Sequence, residues 1–251
     1  MTDQTDRFEA RPRVAVVTGA SRGIGRAAAQ RLACDGQAVV VGYGGDHDEA
    51  EATVAAIEAA GGQAVAVQAD VADDAAVPAL FDAAEQHFGG VDVVVNAAGI
   101  MLLAPVAQLD LDHLDRMYRT NVRGTFVVAR EAARRVRPGG AIITFSTSVT
   151  RLHQPTYSAY AASKAAVEAI SPILARELRG RDVTVNTVAP GPTAMALFLD
   201  GKDQETVDRI AGLNPMQRLG EPADIAEVVS TLAGPARWIN GQTIFVNGGL
   251  A

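Results

Sequence analysis

The sequence predicts an α/β fold built on one doubly wound sheet of seven mostly parallel strands with helices on both faces. Short runs rich in valine and isoleucine alternate with longer alanine-rich stretches, in which apolar residues recur at helical spacing. Some runs, such as Val93–Val95, are apolar at every position, which is typical of strands covered on both faces. A chain of 251 residues with 48% hydrophobic residues can bury such a sheet in one domain.

The predicted strands and the clearest helices alternate along the chain. The strands are expected at Val14–Thr18, Ala38–Val41, Ala64–Gln68, Val91–Val95, Ala141–Phe145, Val183–Val188 and Thr243–Val246. The helices are expected at Asp48–Ala59, Asp73–Phe88, Asp110–Arg137 and Tyr157–Leu178. The first three begin at aspartate, a favoured N-cap residue. Because parallel neighbours need crossover helices, this order predicts a parallel sheet.

We expect a single domain over residues 13–251, preceded by a flexible tail over residues 1–12. No linker or charged block divides the chain. The strand-poor segment over about 190–214 is the exception, and long segments of this kind are typically lids or binding loops. The first thirteen residues mix acids and arginines without an apolar core, which is unlike a secretory signal and predicts a cytoplasmic protein.

Charge and composition argue against several classes of partner. The formal net charge of −7 gives no basic stripe for nucleic acid or for an anionic membrane. The longest nearly unbroken apolar stretch, Val93 to Ala107, is shorter than the roughly 20 residues that span a bilayer. The single cysteine, Cys34, excludes an internal disulfide. No metal centre is expected, because the four histidines lack the spacing of ligands: His47, His87, His113 and His153.

A glycine-rich turn follows the first strand, with Gly19, Gly23 and Gly25 in the spacing G-x-x-x-G-x-G. Without Cβ atoms the backbone can approach a phosphate, and the free N–H groups at the start of the next helix favour an anion. A strand, a glycine turn and a helix in this order predict a Rossmann-type dinucleotide site, which also takes in Ser21 and Ile24. No Lys-Ser/Thr pair closes the turn, so a P-loop is not expected.

Two further strand ends should open toward the same crevice. Asp70 and Val71 follow the third strand, and Asn96, Ala97 and Gly99 end the fourth. Ligands of doubly wound sheets bind outside the carboxyl ends of the strands, so these five residues are candidates to line the adenine and its ribose. Each also has an ordinary structural interpretation, since Asp70 can cap the next helix and Gly99 can form a turn.

A tyrosine and a lysine, Tyr160 and Lys164, stand four residues apart after the fifth strand and the run Ser146-Thr147-Ser148. On a helix this spacing places both side chains on one face, so the ammonium should favour the phenolate. Lowering a tyrosine pKa from near 10 to about 7 needs roughly 4 kcal/mol, which one positive charge about 4 Å away can supply. Such a phenol can exchange a proton with a carbonyl or alcohol oxygen. Standing alone, the pair would instead indicate an ordinary amphipathic helix.

With these motifs in place, the chain resembles the short-chain dehydrogenase/reductase family from about Arg13 to Ala251, including its 3-oxoacyl-carrier-protein reductase-like members. The resemblance implies a catalytic tetrad: Asn121, Ser148, Tyr160 and Lys164. In that family the tyrosine is the general acid or base and the serine holds the substrate oxygen. The lysine binds the nicotinamide ribose and lowers the tyrosine pKa, and the asparagine anchors a water that relays protons. The resemblance also implies cofactor contacts after the sixth strand: Pro190, Gly191 and Thr193.

The serine position is open between two residues. The family's usual interval between serine and tyrosine is one residue longer than that from Ser148, so an ungapped count reaches Thr147. We choose Ser148 because Val149-Thr150 after it matches the family pattern and the loop over 151–155 can absorb a deletion.

The residues around the predicted adenine ribose favour NADP(H) over NAD(H). Sites selective for NAD carry an acid at the end of the second strand, where this chain reads Val41-Gly42-Tyr43-Gly44-Gly45. Arg22, within the glycine turn, can reach a 2′-phosphate, and a cation at a helix start is otherwise slightly unfavourable. Asp46 and Asp48 follow closely, but capping the next helix is the simpler role for either.

These features predict an NADP(H)-dependent oxidoreductase that moves a hydride between nicotinamide and a carbonyl or secondary alcohol, as a ketone or 3-oxoacyl reductase. The alternative is a non-catalytic dinucleotide-binding sensor on the same fold. Apolar residues in and near the predicted lid suggest a partly hydrophobic pocket: Leu102, Leu103, Leu152, Met195, Leu197, Phe198 and Leu199. The resemblance further implies a homotetramer, with the long helices starting near Asp110 and Tyr157 as contact faces.

Overall fold

The computed structural model describes residues 12–251, and the seven predicted strands form one sheet. The strands are β1 (Val14–Thr18), β2 (Ala38–Tyr43), β3 (Ala64–Gln68), β4 (Val91–Asn96), β5 (Val136–Phe145), β6 (Thr184–Pro190) and β7 (Thr243–Val246). Their order is β3-β2-β1-β4-β5-β6-β7, and every neighbouring pair is parallel. The predicted fold class is therefore confirmed. The predicted tail over residues 1–12 lies, up to residue 11, outside the described residues.

Helices connect the strands. They are α1 (Gly23–Cys34), α2 (His47–Ala59), α3 (Pro78–Phe88), α4 (Leu111–Met117), α5 (Gly124–Arg135), α6 (Val149–Leu152), α7 (Ser158–Glu177), α8 (Ala196–Leu199), α9 (Gln204–Ala211) and α10 (Pro222–Ala233). A short 3-10 helix covers Val106–Gln108, and a π-helical segment covers Tyr118–Arg123. None of the helices in residues 12–251 is both long and apolar enough to cross a membrane.

Two apolar cores lie on opposite faces of the sheet. On one face the strands pack against α1, α2 and α10, through residues such as Leu32, Ile57 and Val229. On the other face they pack against α3, α5 and α7, through residues such as Phe81 and Val128. The chain reverses its direction of travel across the sheet between β1 and β4, so a crevice opens at their carboxyl ends.

The predicted helix Asp110–Arg137 is divided. It consists of α4, the π-helical segment and α5, and its last two residues belong to β5. The Thr125 hydroxyl donates to the carbonyl oxygen of Asn121 at 2.7 Å inside this irregular turn. π-Helical turns are rare and are frequent at functional sites.

Candidate active site

A cleft of about 820 Å³ opens at the carboxyl ends of the strands, where the order reverses. It is lined by most of the residues predicted from the sequence: Gly19, Ser21, Arg22, Gly23, Ile24, Gly25, Asp70, Val71, Ala97, Gly99, Ser148, Tyr160, Lys164, Pro190, Gly191 and Thr193. Two predicted residues, Asn96 and Asn121, do not line it. The fold thus brings together motifs that lie far apart in the sequence.

The glycine turn requires the absence of side chains. Gly19 and Gly23 have φ of +63° and +56°, in the left-handed region. A Cβ at Gly19 would lie 2.9 Å from the Cα of Ala98, and one at Gly25 would overlap the carbonyl oxygen of Gly19. The N-terminus of α1 receives no side-chain cap and carries no acid in its first turn, so its positive end can accept an anion such as a phosphate.

Arg22 is exposed at the rim of the cleft. None of the ion pairs within residues 12–251 includes it. Asp46 could have competed with an anionic ligand for Arg22. It instead accepts a hydrogen bond from Glu49 N and caps α2, as expected from the sequence. The helix begins at His47, so Asp48 lies in its first turn.

Asn96 supports the cleft from beneath. Its Oδ1 accepts from the Thr18 hydroxyl at 2.7 Å, and its Nδ2 donates to Thr125 Oγ1 at 3.1 Å. The same Thr18 hydroxyl accepts from Ala98 N at 3.2 Å. This buried network fixes the end of β4, so that the backbone of Ala97 and Gly99 forms the wall.

Asp70 lines the cleft beside Val71 but does not cap the next helix, because α3 begins only at Pro78. Its carboxylate accepts from Ala72 N at 2.9 Å in a local turn. This turn leaves Asp70 in position to meet a ligand.

Asn121 is buried within the π-helical segment. Its Oδ1 accepts from Ile100 N, and its Nδ2 donates to Ile100 O, both at 2.9 Å. Nδ2 also donates to the Ser163 hydroxyl on α7 at 3.1 Å. A Cβ at Gly99 would lie 3.2 Å from Asn121 Oδ1 and 3.3 Å from Lys164 Nζ, so this glycine lets the loop after β4 approach both. The side chain of Asn121 thereby anchors that loop to α7.

Tyr160 and Lys164 lie on the inner face of α7, and both are buried. Lys164 Nζ donates to the carbonyl oxygen of Phe145 at 3.0 Å and lies 5.9 Å from the centroid of the Tyr160 ring. Burial raises the pKa of Tyr160, the neighbouring Tyr157 raises it further, and a hydrogen bond with Thr147 lowers it. Burial also lowers the pKa of Lys164 to about 8.

The expected lowering of the Tyr160 pKa is therefore reversed in this structure. The sequence argument assumed a charge about 4 Å away in a polarisable medium. Here burial and the neighbouring Tyr157 raise the pKa, while Lys164 Nζ is directed at Phe145 O. A phenol with a raised pKa keeps its proton at neutral pH.

Thr147 and Ser148 both line the cleft but differ in their neighbours. The Thr147 hydroxyl lies close enough to the Tyr160 phenol to lower its pKa. Ser148 Oγ instead accepts from Asn247 Nδ2 at 3.1 Å and donates to the carbonyl oxygen of Ala189 at 3.4 Å. The choice of Ser148 made from the sequence therefore stays a prediction.

The backbone after β6 completes the opposite wall. A Cβ at Gly191 would lie 2.7 Å from the Cβ of Asn247, so only glycine fits this approach. Thr193 is buried, and its hydroxyl donates to Gly191 O at 2.9 Å.

The remainder of the cleft is mainly apolar, although Lys202 and Arg209 also line it. Of the residues expected there, Leu103, Leu152, Met195, Leu197 and Phe198 line it, whereas Leu102 and Leu199 do not. Sequence reasoning missed other lining residues: Met101, Ile210 and Leu213. Thr206 and Ile210, which both line the cleft from α9, have helical i, i+4 spacing, a signal that could have placed one face of this helix against the cleft. Within residues 12–251 no cluster of three or more His, Cys, Asp or Glu side chains could hold a metal ion.

Comparison with known proteins gives consistent matches along the chain. The family model described as enoyl-(acyl carrier protein) reductase matches residues 19–251. An NADPH-dependent aldehyde reductase-like protein of Arabidopsis thaliana is 43% identical, covering 94% of this chain and 93% of the relative. A versicolorin reductase of Emericella nidulans is 40% identical, covering 98% of each chain.

Solved structures agree. A dehydrogenase/reductase of Sinorhizobium meliloti superposes with a TM-score of 0.90 at 38% identity, covering 95% of this chain and 94% of the other. A short chain dehydrogenase of Burkholderia cenocepacia in complex with NADP gives 0.89 at 39% identity, covering 95% and 97%.

Proposed function

The chain belongs to the short-chain dehydrogenase/reductase family, and from this premise we propose that it reduces an aldehyde or ketone with NADPH, using Tyr160 as the proton donor. It is an NADP(H)-dependent oxidoreductase acting on the carbonyl/alcohol pair, as expected from the sequence. The observation that carries the assignment of Tyr160 is the buried Tyr160 and Lys164 pair in the cleft that contains the glycine turn.

The residues present fit a dinucleotide. The turn of Gly19, Gly23 and Gly25 is a cradle that Cβ atoms would fill, and α1 offers its uncapped N-terminus to the pyrophosphate. Asp70, Val71, Ala97 and Gly99 line the cleft where the adenosine would lie, and Pro190, Gly191 and Thr193 line it where the nicotinamide amide would lie. When bound, the cofactor supplies or accepts the hydride.

The protein's own residues handle the proton. Tyr160, with its pKa raised by burial, holds a proton that it donates to the substrate oxygen. The Thr147 hydroxyl next to it hydrogen-bonds the same oxygen and orients the carbonyl. With a pKa near 8, Lys164 is mostly an ammonium at pH 7, available to the nicotinamide ribose and to the charge that develops on Tyr160.

The preference for NADP(H) is borne out by the relatives, two of which are named as NADPH-dependent aldehyde reductases. Two structural neighbours were solved with NADP or NADPH. In this chain, Arg22 is the cation available for the 2′-phosphate, and Asp46 is engaged as a cap.

A substrate panel tests the proposal. We expect the absorbance of NADPH to fall when the protein is mixed with apolar aldehydes and ketones, because the substrate end of the cleft is mainly apolar. Tight NADPH binding with no turnover on any of them would contradict the proposal and favour the non-catalytic sensor, which no observation here supports.

Paired substitutions test which hydroxyl, that of Thr147 or that of Ser148, assists Tyr160. Thr147→Val keeps the side-chain shape but removes the hydroxyl next to Tyr160. We expect it to lower kcat by about tenfold, which corresponds to the loss of one hydrogen bond of about 1.5 kcal/mol to the substrate oxygen. Ser148→Ala should have a smaller effect. If steady-state kinetics show that Ser148→Ala lowers kcat more than Thr147→Val does, the role of orienting the carbonyl belongs to Ser148.

We also propose that copies assemble into a homotetramer through α5 and α7. Phe126 on α5 and Ile173 on α7 are 56% and 57% exposed, although they are large and apolar. Sedimentation equilibrium tests this, and a monomeric mass would contradict it.

We also propose a cytoplasmic location, which the single cysteine supports. We further propose that residues 190–214 close over the substrate, which the cleft-lining residues of α8 and α9 support.

A further inference from the structure

A carboxylate on α7, Glu168, holds both ends of the loop that carries Thr147. Its Oε1 accepts from the Ser146 hydroxyl at 2.6 Å and from the Thr150 hydroxyl at 2.8 Å. Thr150 Oγ1 also lies 2.9 Å from the carbonyl oxygen of Thr147. The residues on either side of the Thr147–Ser148 pair are thereby joined through one carboxylate oxygen.

Glu168 does not stabilise the described part of the fold through an ion pair. It is partly buried, and none of the ion pairs formed among the described residues includes it. A partly buried carboxylate without a cation is costly unless hydrogen bonds satisfy it, and here the donors are two hydroxyls of a single loop. Hydrogen bonds to a carboxylate are about twice as strong as those between neutral groups, so this contact is suited to fixing a loop.

Three successive turns of α7 contact this loop or the strand end before it. Tyr160 lies next to the Thr147 hydroxyl, Lys164 Nζ bonds Phe145 O, and Glu168 bonds Ser146 and Thr150. The spacing of four residues between them places all three side chains along one stripe of the helix. The helix that carries the proton donor therefore also fixes the position of the hydroxyl beside it.

We propose that Glu168 is a positioning residue, which holds the loop over 146–150 so that the Thr147 hydroxyl stays within reach of Tyr160 and of the substrate oxygen. The inference rests on the proposed function, because it assigns Glu168 a part in the same reaction. Glu168 does not line the cleft and touches neither cofactor nor substrate. Its effect passes through Thr147.

Substitutions that separate shape from hydrogen bonding test this role. Glu168→Met keeps the length of the side chain but cannot hold the two hydroxyls, and we expect kcat to fall by about tenfold, with the Kd for NADPH within about twofold of the wild-type value. Glu168→Gln keeps an acceptor oxygen and should restore kcat to within about threefold. Glu177→Met, at an exposed position on the same helix, is the matched control and should leave kcat unchanged.

A double-mutant cycle tests whether Glu168 affects kcat through Thr147. In a Thr147→Val background, Glu168→Met should lower kcat by less than about twofold, since the hydroxyl that it positions is already gone. An unchanged kcat in Glu168→Met, or the same tenfold loss in both backgrounds, would overturn the inference. If Glu168→Met fails to fold, kcat of Glu168→Gln decides, because a tenfold loss there would contradict rescue by an acceptor. Failure of the proposed function is distinguishable, since wild-type protein would then show no NADPH-dependent turnover.

Discussion

Replacing Tyr160 with phenylalanine should lower kcat by at least about 100-fold, while the Kd for NADPH changes little. The substitution keeps the buried ring and its edge contact with Tyr157, whose centroid is 6.4 Å away, and deletes only the hydroxyl. No other proton donor is expected to replace it, because Lys164 is directed at Phe145 O. Steady-state kinetics and fluorescence titration with NADPH provide the two measurements.

Tyr157→Phe is the matched control for this experiment. Tyr157 lines the same cleft and is half-buried, yet no lysine follows it at helical spacing, since position 161 is alanine. Its kcat should stay within about tenfold of the wild-type value, as expected for a residue that only contacts substrate. Retention of more than a tenth of wild-type kcat by Tyr160→Phe would remove Tyr160 from the role of proton donor.

Replacing Arg22 with alanine should abolish most of the preference for NADPH over NADH, a loss of roughly 10- to 150-fold in the ratio of kcat/KM values. The guanidinium is exposed at the rim of the cleft, and Asp46, in the second βα connection, caps α2. A charge-assisted contact with a 2′-phosphate is present only for NADPH, so the values for NADH should hardly change.

Two further variants, Arg22→Lys and Arg116→Ala, distinguish a specific contact of Arg22 with the 2′-phosphate from a general effect of positive charge. The lysine variant keeps the charge and should retain part of the preference, whereas Arg116 is exposed on α4, outside the cleft, and its loss should have no effect. If the ratio of kcat/KM for NADPH to kcat/KM for NADH is unaltered in Arg22→Ala, other residues set the selectivity. A ratio below one in the wild-type protein would contradict the NADP(H) assignment itself.

Local patterns in the sequence predicted the parts of the site that depend on local geometry. The glycine turn and the spacing of Tyr160 and Lys164 are set by one turn and one helix, so their neighbours in the sequence are also their neighbours in space. The parallel sheet followed from the alternation of strands and helices along the chain. These features could therefore be read before the fold was known.

Other features depend on contacts between distant segments. The direction of the Tyr160 pKa shift is set by burial under several elements, which a four-residue spacing cannot reveal. The surroundings of Ser148 depend on where the end of β5 meets Asn247 and Ala189, about 40 to 100 residues away along the chain. Glu168 drew no attention in the sequence, because a glutamate at a helical position usually faces solvent.

Deuterium transfer tests the central claim most directly. NADPH carrying deuterium on the transferable position of its nicotinamide is incubated with the wild-type protein and a ketone that it consumes, and the product alcohol is examined by mass spectrometry and NMR. The account predicts deuterium on the carbinol carbon and a hydroxyl proton from solvent, at a rate that falls at least about 100-fold in Tyr160→Phe. Product alcohol without deuterium on that carbon, or oxidation of NADPH that yields no alcohol, would contradict hydride transfer to a carbonyl in this cleft.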